Sequence, residues 1–150
     1  FTSLPKAVLS DFGFAKVFNP GEKSEEYLGT PEYVAPEMVN HVKYDKSVDI
    51  WSLGISLFVM LTGRFPFPRS YCSKRISKGH LNFELLNSMG ISDEAQDLIR
   101  KMCALDPKDR ITATDAINHP WILSRQKTPI EMDYAALIGN EGEYEAPPGI

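Results

Sequence analysis

The sequence predicts a mainly α domain, in which short strands and a long loop precede a bundle of helices. A nearly continuous apolar stretch over residues 48–62 is typical of a helix that is buried almost all round. Strand-like patterns are confined to the first 18 residues, and a polar stretch containing glycine and proline follows them. Beyond residue 90 the apolar residues recur with a helical period. The predicted order is therefore one or two strands, a loop and then helices.

Composition excludes several classes of protein. With 150 residues and 43% apolar content, the chain is long enough for one domain with a core. A net charge of −4 argues against a nucleic-acid or membrane-surface binder. The longest apolar run, residues 51–61, is too short to span a bilayer. Cys72 and Cys103 are too few for a disulfide framework, which favours a reducing compartment, the cytoplasm or alternatively the nucleus.

The first elements are short. Residues 1–6 are expected to form a loop, and the apolar residues 7–9 a buried strand. Residues 14–18 alternate weakly and are predicted to form a second short strand, which Asn19 and the following Pro-Gly pair interrupt. The charged residues 21–28 are expected to be mobile.

The central helix is predicted to begin at residues 47–49 and to run to about Thr62, where Gly63 ends it. Its polar residues, Asp49, Ser52 and Ser56, are spaced three and four apart and form one narrow stripe. Two interpretations of Asp49 are open. It is either a first-turn residue that meets the helix dipole or a buried acceptor that holds a neighbouring loop.

Three further helices are predicted. One covers residues 71–78 and ends at Gly79, and the next begins after Ser92 and continues to about residue 104. A last helix begins at Thr112, which is followed three residues later by Asp115, and it precedes His119. Residues 128–150 lose the pattern and are expected to be a tail or linker.

The stretch from residue 11 to residue 37 carries the chemistry. It opens with D-F-G at 11–13, contains G-T-P-E-Y at 29–33 and closes with A-P-E at 35–37. Asp11 is a hard carboxylate after a predicted strand, and it suits Mg²⁺, which takes one or two protein carboxylates together with phosphate oxygens and water. Gly13 allows a turn that would strain other residues. The sequence thus indicates phosphate chemistry beside a movable loop.

These motifs closely resemble the activation segment of eukaryotic protein kinases. The resemblance covers about residues 4–123, and H-P-W-I at 119–122 and D-F-G-F-A-K at 11–16 are similar to the calmodulin-dependent group and protein kinase D. It implies the C-terminal lobe of the α+β kinase fold over residues 1–127, with residues 11–37 as the activation segment and residues 128–150 as the tail.

The resemblance also implies a function. The expected reaction is transfer of the γ-phosphate of ATP to serine or threonine of a protein substrate, with Mg²⁺ as the metal. Asp11 matches the metal-binding aspartate, and Ser10 and Gly13 match positions beside the nucleotide. Thr30 matches the threonine that contacts the catalytic aspartate in serine/threonine kinases. No nucleic-acid or membrane partner is expected, and a regulatory protein partner is left open.

Further residues are assigned by the same resemblance. Glu37 and Arg110 match the glutamate of A-P-E and the arginine that pairs with it, and Asp49 matches the aspartate that braces the catalytic loop. A pocket for the substrate residue after the phosphoacceptor is expected at Leu28, Pro31 and Val34; equally, these residues pack the loop.

Regulation is expected in the same segment. Glu26 stands three residues before Gly29, where many kinases carry an activating phosphothreonine, and its carboxylate would supply part of the phosphate's charge. Activity independent of loop phosphorylation would follow. Ser24 and Tyr27 remain candidate phosphosites, and plain solvated charge is an equally good interpretation of residues 25–26.

Several parts of a kinase domain do not occur in these 150 residues: the Gly-rich loop, the ATP-positioning lysine and its glutamate, and the H-R-D loop with its asparagine. The chain is therefore expected to correspond to the second half of a kinase domain and to be inactive alone. The alternative is a non-catalytic kinase-like module that binds a partner. H-R-D immediately upstream, with asparagine shortly after, would favour catalysis.

Overall fold

The computed structural model describes residues 8–67, 76–79 and 81–126. A short 3₁₀ helix spans Pro31–Tyr33, and the α-helices are α1 (Pro36–Val39), α2 (Ser47–Thr62), α3 (Phe83–Ser88), α4 (Asp93–Met102), α5 (Ala113–Ile117) and α6 (Pro120–Gln126). None of the helices in these ranges combines the length and apolar character needed to cross a membrane. The interpretations of residues 1–7, 71–75 and 128–150 lie outside the described part of the chain.

The centre of the fold is α2, as the sequence predicts. Trp51, Ile55 and Phe58 are completely buried on it. The helix ends at Gly63, whose φ of +66° is accessible to glycine and whose N–H reaches the Val59 carbonyl at 2.7 Å. The prediction that α2 is buried almost all round was wrong for one face of the helix, however.

The open face of α2 carries Leu53 and Met60, which are 55% and 75% exposed, although both are apolar. These side chains lie seven residues apart and therefore on one side of the helix. Apolar composition alone did not distinguish this face from the buried ones.

Helix α4 packs closely against α2. A Cβ added to Gly54 of α2 would lie 2.5 Å from the Cys103 sulfur and 2.9 Å from the Met102 Cβ, so only glycine permits this approach. Ser92 caps α4 by accepting a hydrogen bond from the Ala95 N–H at 3.4 Å. The predicted apolar face is buried: Ala95, Leu98, Ile99 and Met102.

The C-terminal part contains two short helices where one was predicted. Thr112 caps α5, since its hydroxyl oxygen accepts from the Asp115 N–H at 3.1 Å. The chain then turns, and α6 begins at Pro120. His119, just before α6, contacts α4, because its Nε2 lies 2.9 Å from Asp97 Oδ2. Helix α3, which Asn82 caps, was not predicted.

The strands predicted near the N-terminus are absent from the described residues. Val8 and Leu9 are 77% and 86% exposed, and residues 14–18 form no ladder. A single short strand is not stable without a partner strand. The described residues contain one isolated antiparallel bridge, between Ser24 and Tyr44.

Candidate functional site

Asp11 has an uncommon backbone conformation. Its φ is +59°, in the left-handed region, and its Oδ1 accepts a hydrogen bond from the Gly13 N–H at 3.3 Å. Aspartate tolerates this region better than most residues, and such conformations cluster at functional sites. The sequence assigned the unusual turn to Gly13, whereas the positive φ belongs to Asp11. Ser10 and Gly13 are exposed beside it.

The carboxylate of Asp11 fits one part of a magnesium site. It is exposed, and Mg²⁺ in phosphate-transferring sites takes one or two protein carboxylates and completes its shell with phosphate oxygens and water. Within the described ranges, no group of three or more histidine, cysteine or acidic residues could hold a metal ion. Asp11 would therefore need a phosphate-bearing ligand to complete the shell.

A cleft of about 470 Å³ separates part of the stretch 11–37 from the start of α2. Both sides contribute polar and apolar side chains, and its lining includes Phe14, Lys16, Phe18, Glu26, Leu28, Thr30, Val34, Tyr44, Lys46, Asp49 and Ser52. Thr30, in the stretch 11–37, and Asp49, on α2, thus line one cleft. Ser10, Asp11 and Gly13 do not line it.

The residues assigned to a substrate pocket have different environments. Val34 is 4% exposed and packs with Met38 and Tyr44 in a small buried cluster. Leu28 is exposed in the cleft, and Pro31, also exposed, lies outside its lining. Val34 thus packs the segment and also borders the cleft, where Leu28 is accessible, so the substrate-pocket assignment stays a prediction.

Glu37 and Arg110 form the predicted ion pair. Arg110 Nη1 donates to Glu37 Oε1 at 2.7 Å and Nη2 donates to Oε2 at 3.0 Å, with both residues buried. The guanidinium also donates to the Ala104 and Ser47 carbonyls and lies 5.4 Å from the centre of a Trp51 ring. This bidentate pair joins residue 37 to the start of α2 and to the loop after α4.

Asp49 is exposed at the cleft, which contradicts its interpretation as a buried acceptor. Partial burial nevertheless raises the pKa of its carboxyl. Within the described ranges, no hydrogen bond to this carboxylate is found. Ser52, one turn further along α2, does have a partner: its hydroxyl donates to the Tyr33 carbonyl at 2.9 Å. The polar stripe thus supports the 3₁₀ helix through Ser52, while the bracing role of Asp49 stays a prediction.

The residues assigned to regulation also differ. Glu26 is exposed, and its carboxylate forms no ion pair with a described residue. Tyr27 is 47% exposed, with its ring 6.1 Å from that of His41. Ser24 is only 4% exposed, which contradicts its accessibility as a phosphosite in this conformation. A phosphate at Ser24 would require the segment to leave its position.

Two residues of the site, Tyr44 and Asp45, were not predicted from the sequence. Tyr44 lines the cleft and donates from its hydroxyl to the Glu26 carbonyl at 2.7 Å. Asp45 Oδ1 accepts from the Ser47 N–H at 2.9 Å where α2 begins, and this hydrogen bond lowers the pKa of Asp45. Asp45, two residues before a predicted helix start, was a readable signal, whereas nothing in the pattern links Tyr44 to a residue 18 positions earlier.

Comparison with known proteins gives a consistent result. A family model described as "Protein kinase domain" matches residues 4–122. Calcium-dependent protein kinase 3 of Oryza sativa subsp. japonica is 38% identical over 122 residues, which cover 79% of this chain and 22% of that relative.

Two more relatives agree with this match. Calcium-dependent protein kinase 17 of Arabidopsis thaliana is 36% identical over 85% of this chain and 25% of its own length. MAP kinase-activated protein kinase 2 of Oryctolagus cuniculus is 38% identical over 83% of this chain and 37% of its own length. The chain therefore spans between about a fifth and two fifths of the length of these relatives.

Proposed function

The chain belongs to the protein kinase family, and from this premise we propose that it supplies the C-terminal lobe of a serine/threonine protein kinase. The reaction is transfer of the γ-phosphate of ATP to a serine or threonine hydroxyl of a protein substrate. The observation that carries the proposal is the arrangement of residues 11–37, which begin at an exposed aspartate and end at a buried glutamate–arginine pair.

Asp11 would hold Mg²⁺ together with phosphate oxygens of ATP. Protein kinases generally use ATP and Mg²⁺, and the metal neutralises charge on the transferred phosphoryl group. In support of this role, the backbone of Asp11 is left-handed and its exposed carboxylate accepts a hydrogen bond from the Gly13 N–H at 3.3 Å. Ser10 and Gly13, exposed on either side, leave room for the nucleotide.

Thr30 and Leu28 would face the protein substrate. Both line the cleft in front of α2, and the G-T-P context of Thr30 favours serine/threonine kinases over tyrosine kinases. The carboxylate of Asp49 lines the same cleft with no hydrogen-bond donor among the described residues, so it would be an accessible acceptor for the backbone N–H groups of an incoming loop. In a complete kinase domain that loop is the catalytic loop.

The 150 residues alone are expected to transfer no phosphate, because the general base and most of the phosphate-binding groups of the family do not occur in them. The second candidate function, a non-catalytic module, makes a different prediction for a complete domain. Intact Asp11 and Thr30 favour the catalytic function, since a binding module has no need of a metal ligand.

A chimera tests the proposal. Residues 4–122 replace the matching region of Calcium-dependent protein kinase 3, and phosphate transfer to a serine peptide and to its tyrosine counterpart is measured with calcium present. We expect transfer to serine with little transfer to tyrosine. A chimera that folds and binds Mg²⁺·ATP but phosphorylates neither peptide would favour the non-catalytic module.

A further inference from the structure

Residues 24 and 44 are paired by their backbones. The Ser24 N–H donates to the Tyr44 carbonyl at 2.8 Å, and the Tyr44 N–H donates to the Ser24 carbonyl at 2.9 Å. Reciprocal bonds of this kind define a hydrogen-bonded antiparallel pair and fix the register of the two chains. The Ser24–Tyr44 bridge therefore holds the middle of the activation segment against the loop between α1 and α2.

Two side chains reinforce the bridge. The Tyr44 hydroxyl donates to the Glu26 carbonyl at 2.7 Å, and the Ser24 hydroxyl oxygen accepts from the Glu26 N–H at 3.4 Å. Ser24 is 4% and Tyr44 9% exposed, so their side of these bonds is shielded from competing water, although Glu26 itself is exposed. The backbone of Glu26 is thereby held at both its N–H and its carbonyl.

Tyr44 is itself anchored in the body of the domain. Its ring packs in the buried cluster with Val34, just before α1, and Met38, within α1, and lies 6.4 Å from the ring of Phe18. One residue thus contacts the segment before Thr30, the segment after it and the start of the helical core. Tyr44 therefore connects the residues before Thr30 with those after it.

The neighbouring ion pair contributes little by comparison. Lys43 and Glu25 are 2.9 Å apart, but their side chains are 67% and 66% exposed, and exposed pairs of this kind are weak. The shielded hydrogen bonds, and not surface charge, therefore hold residues 24–26 in place.

We propose that Tyr44 is a positioning residue, which orders the activation segment through the Ser24–Tyr44 bridge without a phosphate on the segment. Its effect on substrate handling rests on the function proposed above; its effect on the segment does not. Glu26, four residues before Thr30, is fixed by its backbone, so the acidic side chain at that position is presented to the cleft by Tyr44. Order of the segment then depends on a tyrosine outside it.

Amide hydrogen exchange on the 150-residue chain tests the proposal. Tyr44→Phe removes the hydroxyl and keeps the ring, and we expect the Ser24 and Tyr44 amides to exchange about five-fold faster, the effect of one net hydrogen bond. Amides of α4 report global stability and are expected to be unchanged. Tyr33→Phe is the matched control, because Tyr33 lines the same cleft and its hydroxyl has no partner among the described residues.

Ser24 provides a second pair of variants. Ser24→Ala keeps both backbone bonds and loses only the long 3.4 Å bond from the Glu26 N–H, so exchange is expected to change by less than about two-fold. Ser24→Asp forces a charge into a buried site and is expected to release the bridge, with exchange at least about ten-fold faster. Unchanged exchange at Ser24 and Tyr44 in the Tyr44→Phe chain would overturn the proposal. So would an equal acceleration in α4, since the effect would then be general.

The chimera supplies the functional readout. A positioning role predicts that Tyr44→Phe raises KM for the peptide by about five-fold while KM for ATP stays unchanged. Changes in both KM values would contradict positioning. If the unaltered chimera transfers no phosphate, the proposed function fails, and the exchange experiment still judges the bridge on its own.

Discussion

Arg110 reaches 73 residues back along the chain to hold Glu37 by two hydrogen bonds of 2.7 Å and 3.0 Å. Both groups are buried, and the guanidinium donates its remaining hydrogen bonds to backbone carbonyls. A buried charge is tolerated only when it is paired and hydrogen-bonded in this way. The pair therefore fixes where the stretch 11–37 ends relative to the helices.

Removing one partner of this pair is expected to be costly. Glu37→Gln or Arg110→Met should each lower the free energy of unfolding by about 3–5 kcal/mol, because the other charge stays buried without its counter-ion. Urea denaturation measures the change. The double variant should lose clearly less than the sum of the two, since it leaves no bare charge.

The exposed pair of Lys43 and Glu25 is the control. Lys43→Met should cost less than about 1 kcal/mol, because the ions of this pair are well solvated. If Lys43→Met and Arg110→Met lowered the free energy of unfolding equally, burial of the Glu37–Arg110 pair would not be the reason for the cost of breaking it.

The Glu37–Arg110 pair could be predicted from two sequence motifs, whereas most other contacts of the site could not. Glu37 and Arg110 occur in two motifs whose association is a property of the family, and the prediction is confirmed by the contact. Helix α2 was predicted from its nearly continuous apolar stretch and the glycine that ends it, and α4 from its apolar period and its Ser92 cap, which are all local signals.

Other features could not be predicted because they depend on distant partners. The Ser24–Tyr44 bridge consists of backbone bonds, which leave no trace in the pattern of side chains. Of the strand expected at residues 7–9, the described residues 8 and 9 form no strand, since apolar residues alone do not supply a second strand. The positive φ fell on Asp11 instead of Gly13, because a hydrogen bond from the Gly13 N–H supports it.

A methyl group at Gly54 is expected to destabilise the chain. Alanine normally stabilises a helix by about 1 kcal/mol relative to glycine, but here its Cβ would meet the Cys103 sulfur at 2.5 Å and Met102 Cβ at 2.9 Å. Gly54→Ala should therefore lower the free energy of unfolding by about 1–3 kcal/mol, the usual effect of overpacking. Urea denaturation with Ser56→Ala on the same helix as control checks this; a gain in the Gly54→Ala chain would show that α4 can move away.

The charge of Asp49 is expected to destabilise the folded chain. Partial burial disfavours the charged carboxylate and so raises the pKa of Asp49 in the folded state. The neutral carboxyl therefore contributes stability below the unfolded pKa, and this contribution is lost as pH rises through the folded pKa. Asp49→Asn should raise the melting temperature at pH 7, by less than about 4 °C. The gain should shrink towards pH 4.

Asp93, in the first turn of α4, is the matched control for Asp49. It is exposed, and Asp93→Asn removes a favourable interaction with the helix dipole, so its melting temperature should fall slightly. If Asp49→Asn lowers the melting temperature by a similar amount at pH 7, the dipole interpretation of Asp49 is the better one.

Cys103 is expected to resist alkylation in the folded chain. Burial raises the pKa of its thiol to about 12, and the nearby Arg110 offsets only part of that effect. Since the thiolate is the reactive form, iodoacetamide at pH 8 should react about 10³-fold more slowly than with the chain in urea. A Cys72→Ser background isolates the signal. Fast alkylation without urea would mean that α2 and α4 separate readily.

The dependence of phosphate transfer on Asp11 tests the central claim most directly. In the chimera carrying residues 4–122, Asp11→Asn removes the charge that would hold Mg²⁺, and Asp109→Asn removes an exposed carboxylate that has no described partner. We predict that Asp11→Asn lowers kcat by about 10²-fold or more and that Asp109→Asn leaves it unchanged. Equal activity in the two variants would contradict the assignment of residues 11–37 as the activation segment of a kinase.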